Sequence, residues 1–600
     1  MTSHAPRPLF SSLTRRVLVY ALLTIGLICL VTLPSQRDYV GGDNDDAMRL
    51  VEVRDYLAGQ GWFDLMQYRL GLPPGILMHW SRLIDWPIAT LIRLCGLFFR
   101  GEQAEAVALA LWPLLLTLPV LATFAYAGER LGGRVTSHVM LLLTLLYLVS
   151  SNRFLPGAID HHNAQIGLVA IMAAVVVTRP GWMAYGVAGV AAALALGIGA
   201  ETTPLVAVVC ALVALQWALA GRAMQGQAMA FSLALSLGVT AVFIGTIPAE
   251  RYMTVTCDAL SFGFYGLATL GAGLLFLGVL ATSGLSRGLR LAVLALIGLA
   301  CAAAAKLIAP QCLGNPLAEL DPMLVKLWLD KVGEARSFWV VAQSEPEALA
   351  AFYASGLLAL CATAFNLWRG GDRERQATMG LLVLASFAVA LVQVRGTMFS
   401  NLLAILPLGM LIADLRQRHR LAPQRPGPAL AFVLATLTAP SAGWAMMGSL
   451  WSNGWPTLQS FRAAENASPA ASRESCFSRE ALAPLAALAP TTVVADIDGG
   501  SPILRFTPHR VLAAPYHRNQ RGMLTELYIG LSTPDDARAL LRGADVGIIA
   551  FCHTSVLTED LAALKPDGLY AQLTKGNVPD YLQPLPSAEG LKLYAVKTGQ

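Results

Sequence analysis

Long apolar runs recur along the first 450 positions, broken by short polar segments, and many approach the length needed to cross ~30 Å of hydrocarbon as a helix. They predict spans at 17–34, 105–126, 135–151, 164–178, 182–198, 203–220, 229–247, 264–282, 289–307, 348–367, 377–394, 397–414 and 429–449, about thirteen in all. Arg15 and Arg16 precede the first run and no small-residue cleavage site follows it, so a retained helix is expected rather than a signal peptide. Beyond residue 450 the pattern changes. TTVVADIDGGSPIL, RVLAAPYHRN, a helix-like MLTELYIGL and DDARALLRGADVGIIAF alternate short β-branched runs with helical spacing. The expected organisation is a transmembrane domain over 1–450, with long outer loops at 35–104 and 308–347, and a soluble α/β domain over 451–600.

Composition agrees. Only 14% of the 600 residues are charged and 55% are hydrophobic, against about 25% charged in soluble domains. That excludes an ordinary soluble enzyme, and the wealth of Leu, Ala and Val excludes disorder. The net charge of +5 is not a nucleic-acid signal, because the arginines sit in short loops between apolar runs. With a cytoplasmic N-terminus the inside loops hold Arg130 and Arg134, Arg179, Arg222, Arg287 and Arg290, Arg369, Arg373 and Arg375, then Arg416, Arg418 and Arg420. An odd number of spans puts the C-terminal domain outside, as expected for a multi-pass bacterial inner-membrane protein with a periplasmic domain. The nine cysteines show no zinc-ligand spacing. Cys257 and Cys312 fall in outer loops, and Cys476 and Cys552 in the outer domain. Each pair is either a disulfide in an oxidising compartment or two separate thiols.

Ionisable residues at membrane depth are costly, and therefore candidates for chemistry. In the first outer loop Asp43, Asp45 and Asp46 stand where an amphipathic helix would begin, a position that suits carboxylates. That helix is expected to lie on the outer membrane surface and to end at Gly59 and Gly61. The acidic cluster reads either as a solvated turn or as a site for a hard cation such as Mg²⁺ or Mn²⁺. The stretch 71–87, carrying His79, Trp80 and Arg82, reads as an extended loop. Asp160-His161-His162 follows the third span, with Asp160 either a helix cap or a metal ligand. Glu334 lies in DKVGEARSFW, on a charged loop face or in a site, and Glu201 in GIGAETTP suits a loop or cap role. Arg395 interrupts two apolar runs, where it either snorkels to the interface or grips a phosphate with two prongs. In the C-terminal region Asp496, Asp498 and Gly499, and His517 with Arg518, read as turn chemistry or as a second polar site.

Taken together these motifs resemble the GT-C glycosyltransferases, and in particular the catalytic subunits of oligosaccharyltransferases. NDDAMRLVEVRD is similar to that family's first-loop acidic motif. Counting back from Arg49-Leu50-Val51-Glu52 points to Asp43, whereas Asn44-Asp45 with Arg54-Asp55 points to Asp45. GAIDHHNAQ resembles the second-loop DHH motif, implying that Asp160 and His162 bind a metal together with Asp45. VGEARSFW resembles the fifth-loop V-x-E motif and QVRG the donor-phosphate arginine, which implies that Glu334 lies beside the metal and that Arg395 holds the donor. The family's WWDYG acceptor motif is absent; the tryptophans near the domain start are Trp451 and Trp455. The resemblance implies transfer of a sugar or oligosaccharide from a polyprenyl-(pyro)phosphate donor to a glycan, lipid or protein acceptor, assisted by Mg²⁺ or Mn²⁺, with no nucleic-acid partner. A transporter or flippase of lipid-linked glycan is the alternative, against which no internal repeat is evident. A non-catalytic glycan-binding scaffold is the third reading.

Overall fold

A computed structural model describes residues 12–34, 36, 38–315, 317–453, 476–588 and 590–597; Trp455 lies outside them. The chain forms two compact units. The first comprises residues 1–41, 81–316 and 334–454, the second 42–80, 317–333 and 455–600.

The first unit is helical throughout. Among the described residues, eight of its helices are long and apolar enough to cross a membrane, or nine if a bent pair counts as one span, so thirteen crossings are more than length and composition give. Each predicted run nevertheless coincides with a helix. The 102–150 helix carries two of them as arms that meet at Gly132 and Gly133, whose backbone leaves the helical region. The runs at 164–178 and 182–198 are the shorter apolar helices His162–Thr178 and Trp182–Ile198. The last predicted span is not straight: Pro426–Thr438 and Ser441–Ser452 meet at 78°. Pro440 sits at that break, where it cannot supply the N–H that a continuous helix needs.

The helices bury one continuous core of small and branched side chains, with Phe124, Tyr185, Trp217 and Phe231 among its largest members. Exposed Leu residues on helices such as Phe262–Thr282 and Arg287–Ile308 present an apolar exterior, as a lipid-facing surface requires. Basic residues tie the helix ends on the side where the arginine pattern places the cytoplasm. Arg16 pairs with Glu129 at 2.6 Å, and Arg290 donates to the carbonyls of Ala218 and Leu285 at 2.9 and 2.6 Å. Cys257 and Cys312 form a disulfide within this unit.

The second unit is an α/β domain. Its mixed five-stranded sheet has the order β4-β3-β5-β7-β6, with β3 Thr492–Ala495, β4 Arg510–Val511, β5 Val546–Cys552, β6 Leu582–Pro584 and β7 Leu591–Val596. β3 pairs in parallel with β4 and β5, while β7 runs antiparallel to β5 and β6. β5 lies in the middle and is almost wholly buried, which accounts for its unbroken VGIIAFC run. The disulfide Cys476–Cys552 ties the start of the described domain to the end of this central strand.

Two segments from between the helices, 42–80 and 317–333, complete the second unit. The helix Asn44–Leu57 does not lie on a membrane surface: Asp46 through Val53 are all buried. Met48 and Val51 share a core with Leu70, Trp80, Val511 and Tyr516. Apolar residues at mixed helical spacing describe a helix covered on more than one side. Much of that cover comes from sequence more than 400 positions away, a separation that no local pattern reports. Part of the stretch read as an extended loop is ordered as a hairpin of β1 Met66–Gln67 and β2 Ile76–Leu77, and Arg82 already begins the helix Arg82–Cys95. Arg69 clamps this hairpin by donating to the carbonyls of Leu504 and Thr507, both at 2.9 Å. The other segment, 317–333, seats Leu324 and Leu327 in a core with Leu527 and Leu569.

Candidate functional site

Within the first unit the second-loop motif folds into a tight turn between the 102–150 helix and His162–Thr178. Gly157 has φ +90°, and a Cβ there would stand 2.7 Å from the Tyr39 carbonyl oxygen, so only glycine fits. Asn163 closes the turn by donating to the Ala158 carbonyl at 2.9 Å. Asp160, His161 and His162 are consequently all buried.

Asp160 does not cap the helix; the residue at the N-cap is His161, and no side-chain cap bond forms. Instead His161 Nδ1 donates to Asp160 Oδ1 at 2.5 Å, and its Nε2 faces Glu201 Oε1 at 3.4 Å. Burial alone would lower the pKa of this imidazole, but the Asp160 and Glu201 carboxylates outweigh burial and hold it at about 10. His161 is therefore a cation that fixes one oxygen of each acid. The other oxygen, Asp160 Oδ2, stands 3.5 Å from His162 Nε2. Glu334 Oε2 comes within 3.9 Å of that same nitrogen. The Glu334 carboxylate also pairs with Arg153.

Sequence reasoning places Asp160, His162 and Glu334 in one site, and the structure brings these three together. Arg395 lies in the turn Val394–Gly396, which the Val394 N–H joins to the Arg336 carbonyl at 2.9 Å, two residues from Glu334. Its Nε donates to Gln393 Oε1 at 2.9 Å, and its charge acts on Glu201. Glu201 lies in the short link Ala200–Thr202 between two helices, as a loop role requires, but it caps neither of them. The helix Thr203–Ala220 has no side-chain cap, and the two Glu201 oxygens face His161 and Gln165. No sequence motif pointed to Gln165 or Arg153. Gln165 follows His162 by three positions on one helix face, a spacing that could have signalled it.

Asp160 and His162 suit a divalent cation: a carboxylate and an imidazole offer one oxygen and one nitrogen donor, and their 3.5 Å separation is one that two ligands of a single ion at ~2.1 Å can adopt. Glu334 stands beside them, held by Arg153.

The first-loop aspartates belong to the second unit. Asp43 is the N-cap of Asn44–Leu57 and accepts from the Asp45 N–H at 3.2 Å, while Asp45 and Asp46 occupy the first turn. Asp43 is exposed, Asp45 half-buried and Asp46 buried. The 513–519 loop supports this helix start. Tyr516 donates to the Asn44 carbonyl at 3.0 Å, and Asn44 Nδ2 donates to Asp498 at 3.2 Å. Burial, reinforced by Asp45, holds the Tyr516 phenol well above its usual range, so it stays a donor. Beside it Arg49 lies 4.2 Å over the Trp80 ring, and Arg518 donates to the carbonyls of Leu77 and Met78, both at 3.2 Å. The His517 and Arg518 motif thus holds the first loop.

No family model and no curated protein matches the sequence. Solved structures do. The archaeal oligosaccharyltransferase AglB from Archaeoglobus fulgidus, in complex with an inhibitory peptide and a dolichol-phosphate, superimposes with a TM-score of 0.64 at 15% identity, covering 98% of this chain and 74% of that one. The chain has the GT-C glycosyltransferase fold. An oligosaccharyltransferase from the same archaeon, tethered to an acceptor peptide containing the NVT sequon, gives 0.63 at 14% identity, over 97% of this chain and 74% of that one. Its complex with Zn and sulfate gives 0.59 at 14%, over 97% and 73%. This GT-C fold is the architecture that the short sequence motifs imply.

Proposed function

We propose that the protein is an integral-membrane glycosyltransferase that moves a sugar or oligosaccharide from a polyprenyl-(pyro)phosphate donor to an acceptor on the outer, periplasmic face. The observation that carries the reading is the approach of Asp160 and Glu334 to within 4 Å of His162 Nε2 on a GT-C fold. The archaeal oligosaccharyltransferase neighbours, one with dolichol-phosphate and one with Zn and sulfate, support a lipid-phosphate donor and a divalent cation.

Asp160 and His162 would hold Mg²⁺ or Mn²⁺, with Asp45 the further ligand that the family resemblance implies. A bound cation would neutralise charge on the leaving phosphate. Arg395 spends one guanidinium nitrogen on Gln393 and presents its fork to donor phosphate oxygens. Glu334, oriented by Arg153, faces the acceptor side. A first-loop carboxylate, Asp43 or Asp45, orients or deprotonates the acceptor nucleophile. The test is purified full-length protein in detergent with short-chain polyprenyl-linked sugars and added glycan, lipid or peptide acceptors, water taking the sugar where none of them does. Metal-dependent release of the polyprenyl phosphate supports the proposal. Intact donor, with flux of the same lipid across proteoliposomes, would make the protein a flippase.

A further inference from the structure

Behind the DHH turn lies a buried polar chain that reaches the far ring nitrogen of His162. Gln165 is fully buried. Its Nε2 donates to Glu201 Oε2 at 2.9 Å, and its Oε1 faces His162 Nδ1 at 3.2 Å. The amide orientation follows from the partner, because an ionised carboxylate offers no hydrogen. With its nitrogen committed to Glu201, the Gln165 oxygen must accept, and His162 Nδ1 must carry the hydrogen. The His162 lone pair is then on Nε2, the atom facing Asp160 and Glu334.

We infer that Glu201 and Gln165 are positioning residues that fix the tautomer of His162 for cation binding. The inference rests on the proposed metal site and extends it to two residues that no motif assigns. Outer partners of this kind commonly change metal affinity 10- to 100-fold. Gly199 makes the room. A Cβ at that position would stand 2.3 Å from Glu201 Oε2 and 3.0 Å from Gln165 Nε2, so a side chain there displaces the bond between them.

The chain makes a chemical prediction that packing alone does not. In Glu201→Gln one of the two oxygens becomes an NH2, so Gln165 Nε2 is no longer bound to an acceptor that offers no hydrogen, and its amide can turn to put its own NH2 on His162 Nδ1 and the hydrogen on Nε2, the ligand atom. Exchanging the two residues restores every bond. The amide now at position 201 accepts from His161 and donates to the carboxylate now at position 165, and that carboxylate accepts from His162 Nδ1.

The test is Mn²⁺ affinity of the full-length protein in detergent, read by electron paramagnetic resonance, with melting in EDTA to confirm folding. Glu201→Gln and Gly199→Ala should each weaken Mn²⁺ binding roughly 10- to 100-fold. The double exchange Glu201→Gln/Gln165→Glu should return it to within about threefold of wild type. If His162→Ala abolishes binding while Glu201→Gln leaves it unchanged, the metal site stands and the positioning role is wrong. If the double exchange binds no better than Glu201→Gln, the effect is packing and the tautomer argument falls. If His162→Ala itself binds Mn²⁺ normally, the metal reading fails and takes this inference with it.

Discussion

Removing the Cys476–Cys552 bridge should loosen the C-terminal domain from its central strand outward. The bridge spans 76 positions, and in the chain-entropy account a loop of that length restricts the unfolded state by about 4.5 kcal/mol. Divided by ~1.36 kcal/mol per decade, this is roughly a thousandfold in the opening equilibrium. Both cysteines are buried, so Cys476→Ala/Cys552→Ala loses some packing as well, and the figure does not shrink on that account. The amides of β5 report the opening, since that strand is hydrogen-bonded on both sides, to β3 and β7. Hydrogen exchange of full-length protein in detergent, followed by mass spectrometry on peptides covering 546–552, should show protection falling by about two to three decades. Unchanged protection in β5, with faster exchange only beside positions 476 and 552, would refute the claim that the bridge holds the domain's core.

Three further outcomes are expected. Burial, reinforced by Asp496, holds Glu526 well above its usual range, so the folded state retains a proton that the unfolded chain releases. Its contribution is fully present below the unfolded value near 4.5 and is lost as pH rises toward the folded one, so Glu526→Gln should flatten the fall in domain melting temperature with rising pH, measured by thermal melts between about pH 5 and 9. Arg395→Lys should keep the protein inserted yet raise the apparent KM for the lipid-linked donor, and Arg395→Ala should lower kcat about 10- to 100-fold besides; wild-type kinetics in the lysine variant would make Arg395 an interfacial anchor. A cysteine placed at 335 should react with a membrane-impermeant maleimide added to intact spheroplasts, as should one at 42; labelling at 335 only after permeabilisation would put Glu334 on the wrong side for this chemistry.

The helices of the first unit were legible because hydrocarbon demands long apolar runs, and those runs set the element limits to within a few residues. What the runs could not report is a helix that bends, as at Ala439 and Pro440, or one that continues in name through a break, as at Gly132 and Gly133. The site was half legible. Asp160, His162, Glu334 and Arg395 stood out because charge at membrane depth needs a reason. Glu201 stood out too, yet its neighbours in sequence suggested only a turn, while its partners are His161 and Gln165, 40 and 36 positions earlier. Gln165 is uncharged and lies in an apolar helix, so only its spacing of three positions from His162 could have set it apart. The Asn44–Leu57 helix was visible with both of its ends, Asp43 and Gly59, but not its partner, because the core it joins is assembled from the far end of the chain.

The central claim is that Asp160 and His162 hold a divalent cation used in cleaving a polyprenyl-phosphate-linked sugar. Release of the polyprenyl phosphate should be followed in detergent while Mn²⁺ is returned to EDTA-treated protein, for wild type, Asp160→Ala and His162→Ala. The account predicts activity that rises and saturates with Mn²⁺ in the wild type, and in both variants a loss of about a hundredfold or more with folding intact. Full activity in EDTA, or variants that respond to Mn²⁺ as the wild type does, would contradict it.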